Sequence, residues 1–115
     1  MANADARITY DRRGTPGVWA MSPPQAYWGM GLAHGLHRPL QTLLLHTAAR
    51  GRLSGCLLPR NELVETDTLV HRLDLPARGR RESTRLSSRG RQWLDAYLDG
   101  IAAGIDRRCR SVLWR

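Results

Sequence analysis

Apolar positions in this chain of 115 residues change period several times, and each change predicts an element. Ser22 followed by Pro23 has the form of an N-cap with proline in the first helical turn. Tyr27, Trp28, Met30, Gly31, Leu32 and Leu36 then share one face of a helix reaching about Arg38. Gly29, Gly31 and Gly35 weaken that helix intrinsically, and they are small enough to admit another helix at close range. Pro39 marks a boundary. Leu40, Leu43, Leu44, Thr47 and Ala48 follow at i, i+3, i+4, i+7 and i+8, the spacing of a second helix closed by Gly51 in the C′ position. Ser54 can cap a further short helix carrying Leu57, Leu58, Leu63 and Val64, or Pro59 can open it instead. Thr66-Asp67-Thr68 breaks it.

A period of two replaces the helical spacing at Leu69, where Leu69, His71, Leu73 and Leu75 alternate with Val70, Arg72 and Asp74. That alternation predicts a strand over 69–75, a turn at Pro76-Ala77-Arg78-Gly79 and a returning strand over about 82–87. Beyond Ser88, Trp93, Leu94, Tyr97, Leu98, Ile101, Ala102 and Ile105 form an apolar stripe over about four helical turns. The ends are polar. Residues 1–21, broken by Gly14, Pro16 and Gly17, read as an N-terminal arm: a short strand, a partner-docking arm or a flexible tail. Residues 107–115 read as a basic tail with an apolar patch at Val112, Leu113 and Trp114. The expected fold is mainly α with a small β-hairpin (α+β), its folded domain spanning residues 22–106.

Composition narrows the class. The length suits one domain, and 42% apolar residues allow a modest core. No run of 18 apolar residues exists to span a membrane, and the first residues lack the apolar segment of a secretion signal, so a cytoplasmic protein is expected. Cys56 and Cys109, far apart in sequence, read as reduced thiols. The formal charge of +8 and a pI near 11.1 point to a polyanionic partner. All 18 basic residues are arginine, a pattern that codon bias in a GC-rich genome also produces. Their clustering is more telling: Arg72, Arg78, Arg80, Arg81, Arg85, Arg89 and Arg91 face only Asp74 and Glu82 within the same stretch.

Chemistry-bearing residues are sparse. His34 and His37, with His46, His71 and the two cysteines, lack the tight pairing of zinc ligands, so neither metal nor cofactor is expected. Trp93 and Tyr97 read as core; for Tyr27 and Trp28, core or interface packing is preferred over stacking on a base. Asp95, Asp99 and Asp106 read as the solvent face of the last helix. No phosphate loop, paired carboxylates or nucleophile elbow stands out, and the expectation is a protein that is not an enzyme.

Leu69-Val70-His71-Arg72, then Arg78-Gly79-Arg80, then Leu86-Ser87-Ser88-Arg89-Gly90 resemble, in spacing, the wing and following helix of the multiple-antibiotic-resistance-regulator (MarR) family. The resemblance covers 69–98, about a quarter of the chain, and departs from the family where Arg78 replaces the aspartate of the wing tip. It implies a winged helix-turn-helix, with helix-turn-helix at about 40–65 and wing at 69–87, acting as a DNA-binding transcriptional regulator. Arg78, Arg80 and Arg81 would then meet the minor groove or phosphates, Arg72 would help position the backbone, Arg85 would join the nucleic-acid contacts, and Arg60 and Asn61 would read bases. The implied partner is double-stranded DNA, bound by a homodimer. Pro59 inside the recognition helix keeps an alternative open: an inhibitor or adaptor that turns this basic surface on an acidic protein. RNA binding is a third reading.

Overall fold

In the computed structural model, which describes residues 6–113, the chain runs β1 (Arg7–Tyr10), β2 (Pro16–Trp19), α1 (Pro23–His37), α2 (Pro39–Ala49), α3 (Leu53–Cys56), α4 (Asn61–Arg72), α5 (Leu75–Arg85) and α6 (Ser88–Leu113). These form two units, one the chain up to Pro39 together with that from Ser87 onward, the other Leu40–Leu86.

The first unit is a helix pair beside a hairpin. Ser22 precedes α1 in an extended conformation with proline in the first turn, as its sequence dictates, although its hydroxyl caps nothing. Ser87 caps α6, its Oγ accepting the Gly90 N–H at 3.1 Å. The two helices meet through glycine. A Cβ on Gly31 would collide with the Tyr97 carbonyl, and one on Gly100 with the Trp28 carbonyl; Gly35 and Gly104 repeat the arrangement one turn on. Backbone therefore packs on backbone, and Trp28, Leu32 and Ala33 close the buried core around that seam. Trp28 Nε1 is buried without an acceptor among the described residues, a cost of about 1–3 kcal/mol that the ring's packing must offset.

β1 and β2 pair antiparallel, Arg7 opposite Trp19 and Tyr10 opposite Pro16. Val18 lies over Gly29 of α1, and the Tyr10 hydroxyl meets His37 Nε2 at 2.8 Å, so both ends of the hairpin are tied to the helix. Asp11 builds the turn: its Oδ1 accepts the N–H of Arg13 and of Thr15, each at 2.8 Å, while Gly14 takes φ 78°. The Thr15 N–H above all, working against a desolvation cost and aided by Arg13, holds the Asp11 carboxyl below its ordinary range. Asp11→Ala should accordingly speed hydrogen exchange at the Arg13 and Thr15 amides by roughly tenfold. Unchanged exchange rates there would mean that the carboxylate does not hold the turn.

The second unit is organised by Asp67. This buried carboxylate on α4 accepts the N–H of Leu53 and Ser54 at 2.8 Å and the Ser54 hydroxyl at 2.7 Å, fastening the first turn of α3 to α4. Val70, one turn further along α4, is buried beside it in register, and Leu63 continues the same face. Most of the remaining apolar residues of this unit stay exposed, Leu40 to 68% and Leu45 to 63%.

The coarse expectation, a mainly helical chain with one small antiparallel hairpin, describes what is found; the winged helix-turn-helix does not. The segment expected to form the wing is helical, shared between α4 and α5. Alternation over Leu69–Leu75 was short and poor in β-branched residues, whereas Leu63, Asp67 and Val70 follow a helical face directly into it. Pro76 occupies the first turn of α5, where proline has no N–H to waste, rather than a β-turn. The described hairpin lies instead in the N-terminal segment. Pro59 lies outside any helix, between a four-residue α3 and an α4 that begins at Asn61, so no single recognition helix runs through Ser54–Glu65. α6 continues through Leu113, across residues expected to form a tail. The patch expected at Val112, Leu113 and Trp114 lies outside the described side chains.

Candidate functional site

In the first unit, an open apolar cleft of about 320 Å³ is lined by Tyr27 and Met30 of α1 and by Gly90, Trp93, Leu94 and Tyr97 of α6. Tyr27 and Trp93 stack with centroids 5.4 Å apart and planes 18° apart. Beside them, His34 Nδ1 meets the Tyr97 hydroxyl at 2.8 Å, the rings nearly perpendicular. The cleft offers an apolar side chain aromatic walls and one polar edge. Trp93 and Tyr97, expected in the core, are half-buried in these walls, and Tyr27 is exposed at 36%.

In the second unit, Ser54, Asp67 and His71 stand close enough to invite comparison with a nucleophile, an acid and a base. Their order is wrong for that chemistry. The Ser54 hydroxyl donates to Asp67 directly, and His71 Nε2 is engaged by the Gly51 carbonyl at 3.1 Å. Burial opposes ionisation of Asp67, but the two bonds from Ser54, the Leu53 N–H and the charge of His71 prevail and hold its carboxyl below the ordinary range. This is a structural clamp. Likewise, His34 and His37 are met by phenols rather than by a hydroxyl nucleophile. No group of histidines, cysteines and acids suited to a metal ion occurs among the described residues, and Cys56 and Cys109 are free and exposed.

The residues singled out for nucleic-acid contact lie on two helices. Arg60 stands just before α4 without a side-chain capping bond, Asn61 opens the helix and Arg72 ends it. Arg78, Arg80, Arg81 and Arg85 lie on α5, where Arg81 pairs with Asp74 at 3.2 Å and Arg85 with Glu82 at 3.1 Å. All seven are exposed. Both acids of the arginine-rich stretch are thus occupied within α5 and at its start. The glycines Gly100 and Gly104 and the clamp residue Asp67 were missed as determinants of either unit; the four-residue repeat of glycine in each long helix was the available signal for the first.

Comparison with known proteins points elsewhere than to DNA. Among solved structures, the chain is similar to the thermostable penicillin G acylase from Alcaligenes faecalis in a tetragonal crystal form, with a TM-score of 0.80 and 26% identity. The similarity covers 92% of this chain and 55% of that one, so the chain spans little more than half the length of that structural relative. No curated protein matches it. The model of the family described as Penicillin amidase matches residues 5–112. These findings overturn the MarR resemblance, the transcriptional-regulator reading and its adaptor alternative, and with them duplex DNA bound by a homodimer, or an acidic protein, as partner. They also conflict with the expectation that the protein is not an enzyme, since they relate the chain to an enzyme family. The MarR-like spacing involved a quarter of the chain and falls on helices, whereas the family model spans nearly all of it. The chain belongs to the penicillin amidase family.

Proposed function

We propose that this chain is a structural part of an amide hydrolase of the penicillin acylase type, and that the groups performing acyl transfer come from polypeptide outside it. Amide hydrolysis requires an activated nucleophile, a base within hydrogen-bond reach and donors for the developing oxyanion. Three of the four histidines, His34, His37 and His71, are engaged by phenols or a carbonyl, and the Ser54 hydroxyl is spent on Asp67. The family match over residues 5–112 carries the reading. It is supported by surface character. Leu40, Leu43 and Leu45 of α2, Leu57 and Leu58 after α3, and the aromatic cleft of the first unit expose apolar area of the kind that association covers. No helix among the described residues is long and apolar enough to cross a membrane, so lipid within a span does not account for it.

Reconstitution tests this. The chain is mixed with Alcaligenes faecalis penicillin G acylase from which the matching segment has been removed, and penicillin G hydrolysis is followed. The chain alone is expected to hydrolyse nothing, and the mixture to form a complex that does. Hydrolysis by the chain alone would place the nucleophile within it and end the scaffold reading; failure to associate at micromolar concentration would end it equally.

A further inference from the structure

Arg50, Arg52 and Arg80 line one pocket of the second unit, together with His71, Asp74, Pro76 and Ala77. We propose that this pocket binds a small, multiply charged oxyanion of the phosphate type. The inference is independent of the acylase reading. None of the three guanidinium groups has an acid within ion-pair distance among the described residues. Three like charges sharing a pocket of about 310 Å³ repel one another, and a dianion placed among them removes that repulsion.

The arginines are placed rather than scattered. Arg50 and Arg52 flank Gly51, which leaves α2 in a left-handed conformation at φ 62°. The turn is pinned by Gly51 N–H to the Ala48 carbonyl at 2.9 Å, by Arg52 N–H to the Thr47 carbonyl at 3.2 Å and by His71 on the Gly51 carbonyl. A Cβ at Gly51 would press on the His71 ring at 2.7 Å, so the turn is held from both sides. Arg80 projects from α5. Asp74, the acid in the pocket wall, is already matched by Arg81 at 3.2 Å, which lessens its opposition to an incoming anion. Pro76 and Ala77 are the apolar residues of the lining, and the other five carry polar or charged groups. Planar guanidinium forks fit the oxygens of phosphate two at a time, and three of them exceed what one carboxylate can use.

The whole chain, isotopically labelled, is titrated at constant ionic strength with inorganic phosphate, with glycerol phosphate and with acetate. Amide shifts at 50–52 and 77–80 are expected to saturate with phosphate, and acetate to bind at least roughly tenfold more weakly. Tighter binding of glycerol phosphate would identify an organic phosphomonoester as the ligand; equal binding would identify the free ion. Arg80→Gln should weaken phosphate binding roughly tenfold, and the triple change Arg50→Gln, Arg52→Gln, Arg80→Gln should abolish it. Arg107→Gln with Arg108→Gln, on α6, should leave it unaltered. If the triple glutamine variant loses its helical spectrum, the triple lysine variant keeps the charge without the fork and should still bind several-fold more weakly. Shifts that follow ionic strength alone, that acetate reproduces, that persist in a folded triple glutamine variant, or that are undiminished in the triple lysine variant overturn the proposal.

Discussion

Replacing Gly31 by alanine should destabilise the first unit by about 3 kcal/mol, while the same replacement at Gly79 should stabilise its helix by about 1 kcal/mol. Intrinsic propensity favours alanine at both positions by the same small amount, since both lie inside helices. Surroundings decide the sign. A Cβ at Gly79 meets nothing within 4 Å, but at Gly31 it collides with the Tyr97 carbonyl and comes within 3.0 Å of the Ile101 nitrogen. Those atoms belong to helix backbone, so no rotamer change relieves the clash; α1 and α6 must move apart along a seam that holds Trp28 and Leu32. Gly100→Ala should behave as Gly31→Ala does, because its Cβ meets the Trp28 carbonyl from the other side. Thermal unfolding followed by circular dichroism checks the pair. An unchanged midpoint for Gly31→Ala would mean that the helices do not meet backbone to backbone.

The same glycines explain what sequence patterning could and could not show. α1 and α2 were readable because prolines stand at their starts and apolar residues recur at helical spacing. The apolar stripe on α6 is offset from its buried face: Leu98 and Ala102, within the stripe, are exposed, while Gly100 and Gly104 are buried. Hydrophobic periodicity records side chains that fill space, and this contact is made where side chains are missing. In α4 the concealment has another cause. The inward face runs Leu63, Asp67, Val70, so its centre is polar and looks like a break; only the hydrogen bonds of Asp67 to Leu53 and Ser54, distant in sequence, make it a core position. With that face hidden, the alternation of Leu69, His71, Leu73 and Leu75 became the visible pattern and predicted a strand.

Function was harder to read for a related reason. Local arginine density drew attention to residues 72–91, yet on a helix two of those arginines find Asp74 and Glu82 as neighbours. Such exposed pairs contribute little to stability, but they show that charge density counted along the chain overstates the charge free to meet a partner. The match to the penicillin amidase family spans residues 5–112, of which the arginine-rich stretch is only a small part. Of the seven residues that the sequence suggests for nucleic-acid contact, Arg80 lies in the arginine pocket, beside Arg50 and Arg52, which stand outside the arginine-rich stretch.

Asp67 carries the other large effect expected. Asp67→Ala removes the acceptor for three hydrogen bonds at once and leaves the Leu53 and Ser54 N–H groups without a partner where the loop meets α4. Losses of this kind stand at the severe end for single substitutions, and a drop in the thermal midpoint on the order of 10 °C is expected. Asp67→Asn separates charge from shape, since it retains the size and one acceptor oxygen. The folded carboxyl is held below the ordinary value of 3.8 despite its burial, because the Ser54 and Leu53 donors and His71 favour the ionised form. As pH falls, the unfolded chain therefore takes up this proton first, and stability diminishes from about pH 4 downward until the folded carboxyl is protonated as well. The difference between wild type and Asp67→Asn should be constant from pH 7 to about pH 5, then shrink through that window. Denaturant unfolding at a series of pH values measures it. A difference that is flat to pH 2 would show that Asp67 works through shape alone, and that the charge on the carboxylate is not what clamps α3 to α4.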